Sequence, residues 1–417
     1  MKKILNLIML FSLCFTSLSV ASCQKSDDGG SESSSDAIEF VFKTALSNYY
    51  GVVDNSNKTI TVGGISSSND IKSVSYTLPE GYTISPEPSE VSKWYKEQAF
   101  EIGKSGESSQ TYTVILSDML ETVESKYVVM GYIMLSGTDF ESVFETIDLT
   151  KVTHTLISFA SVNSDGSITT TSIDTYVDMV VKAAHDAGGR ALLAVNKASD
   201  GEFTACIKAS DTRTKLIENL IDYCEEKGFD GIDLDYEDYN SFDLTSLIAF
   251  AKELRETMPE EWQLTCAIGP WLQYTGYAEY FDYINVMSYG EMSDGDSPGY
   301  HATMTKFQSD IANTLVWALD KSKIVGGVPF YGWSWENSPS VFSIKYEYVI
   351  NKYPTAEVAD ADNYGSLYYN GRNTIREKCV YVKDQGYGGI MIWQLAQDCL
   401  NEDFRLLDVI GEEMFEE

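Results

Sequence analysis

The segment Gly228-Phe229-Asp230-Gly231-Ile232-Asp233-Leu234-Asp235-Tyr236-Glu237 carries four carboxylates inside a run that otherwise reads as a β-strand. A strand's period of two sends Asp233, Asp235 and Glu237 to one face and Ile232, Leu234 and Tyr236 to the other. One face is acidic and its reverse is apolar. An ordinary core cannot take the acidic face, because unpaired buried carboxylates are costly and neighbouring ones raise one another's proton affinity. The fold therefore has to pack the apolar side and leave the acidic side on a cavity, where shared protons are useful. Asp230 falls on the opposite parity and reads as a structural brace.

Residues 127–417 repeat strand-then-helix units. The strands predicted from apolar runs are Tyr127 to Met134, Thr153 to Ala160, Arg190 to Val195, Phe229 to Glu237, Gln263 to Ile268, Tyr283 to Tyr289, Ile324 to Phe330 and Gly389 to Trp393. Helical spacing marks Ile173 to Ala187, Thr212 to Lys227, Leu244 to Thr257 and Thr374 to Gln385. Eight strands over this length fit a single (β/α)8 TIM barrel, whose active site lies at the C-terminal strand ends, where Asp235 and Glu237 fall. The rival, an open doubly wound sheet, lacks its glycine-rich phosphate loop: the first strand runs on into Leu135-Ser136-Gly137-Thr138. Between Ser338 and Asn370, rich in Tyr and Asp, there is room for a small inserted subdomain forming a groove wall.

Ahead of the barrel, residues 37–120 alternate apolar and polar positions in short runs such as Thr59-Ile60-Thr61-Val62, separated by turn signals such as Gly63-Gly64. That is the pattern of a small all-β sandwich. Trp94 and Tyr95 form its one adjacent aromatic pair suited to sugar binding, against the plainer reading of Trp94 as core. At the start, Lys2 and Lys3 precede an apolar stretch ending in Val20-Ala21-Ser22-Cys23, which reads as an export signal over residues 1–22. Residues 23–36 have the composition of a flexible polar tether. The formal net charge of −33 repels a phosphate backbone, so nucleic acid is excluded as a partner. Cys206, Cys224, Cys266, Cys379 and Cys399 are widely spaced and odd in number, which argues for buried thiols over a disulfide framework. With only three histidines and no His-x-x-x-His spacing, neither a metal nor another cofactor is expected.

Asp230-Gly231-Ile232-Asp233-Leu234-Asp235-Tyr236-Glu237 resembles the signature of glycoside hydrolase family 18, the chitinases and endo-β-N-acetylglucosaminidases. The likeness extends to Tyr283-Ile284-Asn285-Val286-Met287-Ser288-Tyr289, to Gly327-Val328-Pro329-Phe330-Tyr331-Gly332 and to Gly388-Gly389-Ile390-Met391-Ile392-Trp393, similar to that family's sixth, seventh and eighth strands. The amino terminus resembles the processing box of bacterial lipoproteins, and the acidic Asp27 and Asp28 resemble the surface-export pattern of Bacteroidetes lipoproteins; the sandwich resembles their immunoglobulin-like modules. These likenesses imply a chain lipidated at Cys23 and anchored at the outer membrane, on the cell surface, with lipid as its sole tie to the membrane.

Glycosidic cleavage needs an acid on the leaving oxygen, and Glu237, outermost on the strand, is placed for it. A free Glu titrates near ~4.3, so acidic neighbours and partial burial have to lift its pKa. What the resemblance implies is retaining, substrate-assisted hydrolysis of β-1,4 linkages at N-acetylglucosamine, in which the substrate's acetamide oxygen attacks. Asp235 would then hold the acetamide N–H, Tyr289 its carbonyl, Asp233 would tune Asp235 from beneath, and Trp393 would floor the −1 sugar. Met287, Tyr132, Trp333 and Trp335 are candidate contacts to the sugar, and Asn196 is a weaker one. Two departures from the family pattern stand out: Gly290 follows Tyr289 where an Asp is usual, leaving Glu291 or Asp294 to substitute, and the third strand reads Leu193-Ala194-Val195-Asn196. Chitin or chitooligosaccharides, the diacetylchitobiose core of N-glycans, and glycan binding without catalysis remain the open readings.

Overall fold

The computed structural model describes residues 38–415 apart from 45–46, 66–70, 92–93, 95–96, 105–107, 118–125 and 138–139. The expected signal, tether, lipidated Cys23 and Tyr95 lie outside the described residues.

Eight parallel strands close into a barrel: β1 Val128–Met134, β2 His154–Val162, β3 Arg190–Lys197, β4 Gly231–Asp235, β5 Gln263–Ile268, β6 Tyr283–Val286, β7 Ile324–Pro329 and β8 Gly389–Trp393. Closure comes from β1, which pairs with β8 through Val128 and Gly389 and with β2 through Met130 and His154. All eight strands are where the sequence pattern puts them, but β4 and β6 are shorter. Strand pairing ends at Asp235 and Val286, so Glu237 and Tyr289 stand on the loops just beyond the ladder.

Parity holds as expected. Val128, Met130, Tyr132, Leu156, Leu192, Ala194, Val325 and Met391 fill the barrel interior, while Ile232, Leu234 and Tyr236 join the outer core under the helices. Helices Ser210–Lys227 and Leu244–Thr257 flank β4, the second capped by the Asp243 carboxylate accepting from the Ser246 N–H at 3.1 Å. Gly228 closes the first of them at φ 76°, a left-handed turn that costs glycine no Cβ clash and delivers the chain to β4. The five cysteines from Cys206 to Cys399 are free and buried.

The connection between β7 and β8 forms a small sheet of its own. Tyr331–Ser334 pairs with Phe342–Lys345 and with Leu367–Tyr368, and helices Tyr346–Lys352 and Ala356–Asp360 complete the insert. It begins at Tyr331, seven residues earlier than the composition of 338–370 indicates.

Nearer the amino terminus, a three-stranded sheet (Asn48–Tyr50, Glu39–Thr44, Ile71–Thr77) and a five-stranded sheet (Val52–Asp54, Thr59–Val62, Gln110–Leu116, Glu97–Lys104, Tyr82–Ser85) share one core in an all-β sandwich. Trp94 is part of that core, its ring 4.7 Å from Phe42 and 5.6 Å from Phe100, so it is packing and not a sugar platform.

The glycine at the base of the acidic strand has a steric cause. A Cβ on Gly231 would sit 2.0 Å from the Gln263 carbonyl oxygen on β5, inside any real contact. Gly231→Ala therefore has to push β4 and β5 apart at the bottom of the barrel. The expected cost is about 3 kcal/mol, seen as a lower Tm in thermal unfolding; an unchanged Tm would show that the ladder yields there freely.

Candidate active site

At the C-terminal mouth of the barrel lies a cavity of about 580 Å³, and Asp235, Glu237, Tyr289, Met287, Tyr132 and Trp393 all line it. Six residues from β1, β4, β6 and β8 and the loops just beyond them thus converge as expected. Beneath them Asp233 is fully buried. Its Oδ2 accepts from the Tyr132 hydroxyl at 2.6 Å, and its Oδ1 from the Thr265 hydroxyl at 2.5 Å and the Asn285 amide at 3.2 Å. Both oxygens are thereby occupied by neutral donors from three other strands. Burial pushes the Asp233 pKa up to about 6, with Thr265, Tyr132 and Asn285 pulling against it.

Asp235 is also buried, and its Oδ2 accepts from the Asn196 amide at 3.0 Å. Oδ1 is buried with no hydrogen-bond partner, an acceptor waiting in the cavity wall. Burial first, then the charges of Glu237 and Asp233, raise its proton affinity well above the usual Asp range, while Lys197 and Asn196 oppose. Glu237 is half-buried and its pKa is likewise raised, by burial and by Glu291, against Asn196, Lys197 and Tyr239. The Tyr239 hydroxyl acts on Glu237 from outside regular hydrogen-bond reach, being itself buried without a partner.

The mount of Glu237 is rigid. On one side the Tyr236 and Thr204 hydroxyls bond at 2.5 Å; on the other, buried Asp238 accepts from the backbone N–H groups of Gly201 and Thr204 at 2.8 and 2.9 Å. Both ties run to the start of helix Glu202–Lys208. The Lys197 ammonium donates to the Glu237 carbonyl oxygen at 3.0 Å and adds a third tie. Trp393 lies in an aromatic wall with Tyr132 at 5.5 Å and Phe159 at 5.8 Å, and Tyr289 stands edge-on to Tyr331 at 5.9 Å with its hydroxyl 3.7 Å from the Met391 sulfur.

Two expectations need correction. Trp335 is 3% exposed and donates its indole N–H to the Asp296 carbonyl at 2.9 Å, so it is packing within the insert. Trp333 also leaves the cavity wall, its indole donating to the Gly290 carbonyl at 3.3 Å. Tyr331 and Trp333 share one face of the strand Tyr331–Ser334 and Trp335 follows it; all three bond to the 290–296 loop, and of them only Tyr331 reaches the cavity. Of the two substitutes for the missing acid at 290, Glu291 lines the cavity, whereas Asp294 accepts from the Val341 N–H at 2.8 Å. Asp230 sits at the opposite end of β4, bonded to the His185 ring and the Ala191 N–H, both at 2.8 Å, and braces the strand base as its parity implies.

Sequence reasoning overlooked Phe159, Lys197, Tyr239, Trp271 and Tyr331 in the cavity wall, and Thr265 and Asn285 beneath Asp233. Thr265 and Asn285 share the inward parity of Ala267 and Met287, so parity was the available signal for them; Phe159 turns inward at a register shift in β2, Lys197 has the outward parity of Val195, and Tyr239 and Trp271 follow the ends of β4 and β5, so parity could not have found these four.

The raised carboxyl pKa values carry a stability signature. A carboxyl whose folded pKa exceeds its unfolded value of ~3.9 holds its proton longer in the fold, so stability falls as pH rises through that interval. Asp235→Asn removes one such group. Its Tm should exceed the parent's by a few degrees at pH 7, with the gain shrinking towards pH 4; a variant less stable than the parent at pH 7 would contradict this electrostatic reading.

The sequence model for glycosyl hydrolases family 18 matches residues 128–398, and that for a domain of unknown function (DUF4971) matches residues 2–132. Among solved structures, a chitinase from Bacteroides thetaiotaomicron is 39% identical with a TM-score of 0.67, over 70% of this chain and 98% of that one. The chitinase ChiB of Flavobacterium johnsoniae is 26% identical with a TM-score of 0.61, over 70% of this chain and 94% of that one. Probable chitinase 10 of Drosophila melanogaster is 26% identical over 342 residues, 64% of this chain but 15% of the relative. The chain spans less than two thirds of the length of the curated relatives it matches. With the match to the family covering most of the chain and the acidic strand in its place, the chain belongs to glycosyl hydrolases family 18.

Proposed function

We propose that this chain hydrolyses β-1,4 linkages at N-acetylglucosamine in chitin or chitooligosaccharides, with retention of configuration and with the substrate's own acetamide as nucleophile. The observation that carries the reading is the pair Asp235 and Glu237, side by side on one cavity, both with raised proton affinity. Glu237, protonated through its elevated pKa, gives its proton to the glycosidic oxygen as the bond to the anomeric carbon breaks. The acetamide oxygen closes on that carbon from the opposite face. The unpartnered Oδ1 of Asp235 takes the acetamide N–H, and the growing positive charge of the oxazolinium ring is offset by the Asp235 and Asp233 carboxyls beneath it. Tyr289 donates to the acetamide carbonyl, and Trp393 offers its face to the C–H groups of the sugar. Glu237, now ionised, takes a proton from a water molecule whose oxygen attacks the anomeric carbon, and the bond from that carbon to the acetamide oxygen breaks, which restores the acetamide and the protonated acid. Asp233, engaged by three donors, acts through Asp235 and does not itself meet the sugar. The chitinases among the relatives favour chitin over N-glycans as substrate.

Export and a lipid anchor at Cys23 belong to the same proposal, supported by the residues of the leader.

Hydrolysis of a chromogenic di-N-acetylchitobioside should fall by about 10³-fold in kcat/KM in Glu237→Gln. Binding without turnover by the parent would instead mark a non-catalytic glycan receptor. Mass spectrometry of the products should show chitopentaose cut and the glycans of a high-mannose glycoprotein intact; glycans released with one sugar left on Asn would reassign the enzyme to N-glycans. Because Glu237 must be protonated to act, activity falls as pH rises through its pKa. Glu291 helps to raise that pKa, so Glu291→Gln should move the alkaline limb of the kcat/KM profile to lower pH. A limb that stays in place would remove Glu291 from the acid's surroundings.

A further inference from the structure

We infer that Lys378, a buried lysine outside the cavity, is a positioning residue for Tyr289: it clamps the returning end of the loop 290–302, so that the tyrosine keeps its place at the acetamide. The inference rests on the hydrolytic reading above. Lys378 lies on helix Arg372–Gln385 and is fully buried. Its Nζ donates to the Ala302 carbonyl oxygen at 2.8 Å and to the Asn370 Oδ1 at 2.7 Å, and it stands 5.2 Å from the centre of the Phe307 ring. Among the described residues no carboxylate forms an ion pair with it, and Asp310, one of the acids that act on it, is bonded to Lys306 at 2.7 Å. Burial pushes its pKa down to about 7. A buried amine bonded only to neutral acceptors is costly to keep. Ala302 and Asn370 are buried too, and the amine in either protonation state has the two protons they need.

What the clamp holds leads back to the site. A Cβ on Gly290 would lie 3.6 Å from the His301 carbonyl oxygen, so the two ends of the loop run side by side. The His301 ring is buried, and its Nε2 has no hydrogen-bond partner among the described residues. Its place therefore depends on packing and on its own backbone, which Lys378 fixes one residue further on, at Ala302. The His301 ring lies 5.0 Å from Tyr331. Tyr331 in turn meets Tyr289 edge-on, and its hydroxyl donates to the Gly290 carbonyl at 3.2 Å. Lys378 thus reaches Tyr289 through Ala302, His301 and Tyr331, all of them buried. A close-packed interior passes displacement along such a chain, so releasing the Ala302 carbonyl removes the backing of the catalytic tyrosine.

The test is a double-mutant cycle on the chromogenic di-N-acetylchitobioside. Lys378→Met, close in shape to lysine but without its donors, should lower kcat roughly tenfold with KM little changed. In the Tyr289→Phe background, where no hydroxyl remains to be misplaced, the same substitution should lower kcat less than about threefold. Lys378→Gln keeps a donor for Ala302 and should recover part of the loss; it carries the cycle where Lys378→Met does not fold. Equal losses in the two backgrounds, or no loss in either, would overturn the inference and leave Lys378 a structural tie. A parent without turnover would sink the hydrolytic reading instead. The clamp is then judged by hydrogen exchange, in which Lys378→Met should make the amides of 290–302 exchange about tenfold faster while those of β6 and β7 keep their protection; unchanged exchange in that loop would reject it.

Discussion

Everything at the mouth of this barrel depends on Asp233 being buried beneath two further carboxyls and being satisfied by neutral donors. Charge-assisted hydrogen bonds of this kind contribute about 1.5–3 kcal/mol each, and removing a carboxylate from water costs several kcal/mol. With three such bonds the two effects come close to balance, which is why Asp233 is pushed up only to about 6 and keeps its place in a closed interior. A cation in its place among the partners would have neutralised the site. Neutral hydroxyls and an amide leave the negative potential in force, and it adds to burial and the Glu237 charge in raising the proton affinity of Asp235, one alternation higher.

From that follows a division of labour along one strand. Asp233 is engaged on both oxygens and fixed; Asp235 is engaged on one and open on the other; Glu237 lies beyond the ladder, half-buried and facing the cavity. Each step up the strand trades hydrogen bonds for access. The price in rigidity that a loop position would carry is avoided because the residues on either side of Glu237 are tied to helix Glu202–Lys208. Lys197 contributes opposing effects: its charge favours ionised Asp235 and Glu237, while its bond to the Glu237 carbonyl holds the backbone of the acid in place.

Much of this was legible in the sequence, because a period of two is a strict geometric statement. Parity alone assigned Asp233 and Asp235 to the interior and Ile232, Leu234 and Tyr236 to the helix side, and closure of eight strands turned that interior into a cavity. The strand ends were less legible. Apolar alternation in 229–237 and 283–289 continues after pairing has stopped, so Glu237 and Tyr289 read as strand residues although the neighbouring loops hold them. Trp333 and Trp335, just after the seventh strand, were read as sugar contacts and Tyr331 was not; the insert's strand carries the two tryptophans along the 290–296 loop, a path fixed by pairing with distant Phe342–Lys345, and leaves Tyr331 on the cavity. Trp271 and Tyr239 escaped notice for the converse reason: they sit on loops, where no periodicity says which way a ring will face.

The account is tested most directly by titrating the carboxyl carbons of the acidic strand by ¹³C NMR, with Glu237→Gln and Asp235→Asn used to assign the signals. It predicts that Glu237 titrates above the ordinary glutamate value of ~4.3 and that replacing Asp233 by Asn shifts the Asp235 signal to lower pH, since the Asp233 charge is one of the causes that raise it. Glu237 titrating at or below that value, with Asp235 indifferent to the loss of the Asp233 charge, would contradict it.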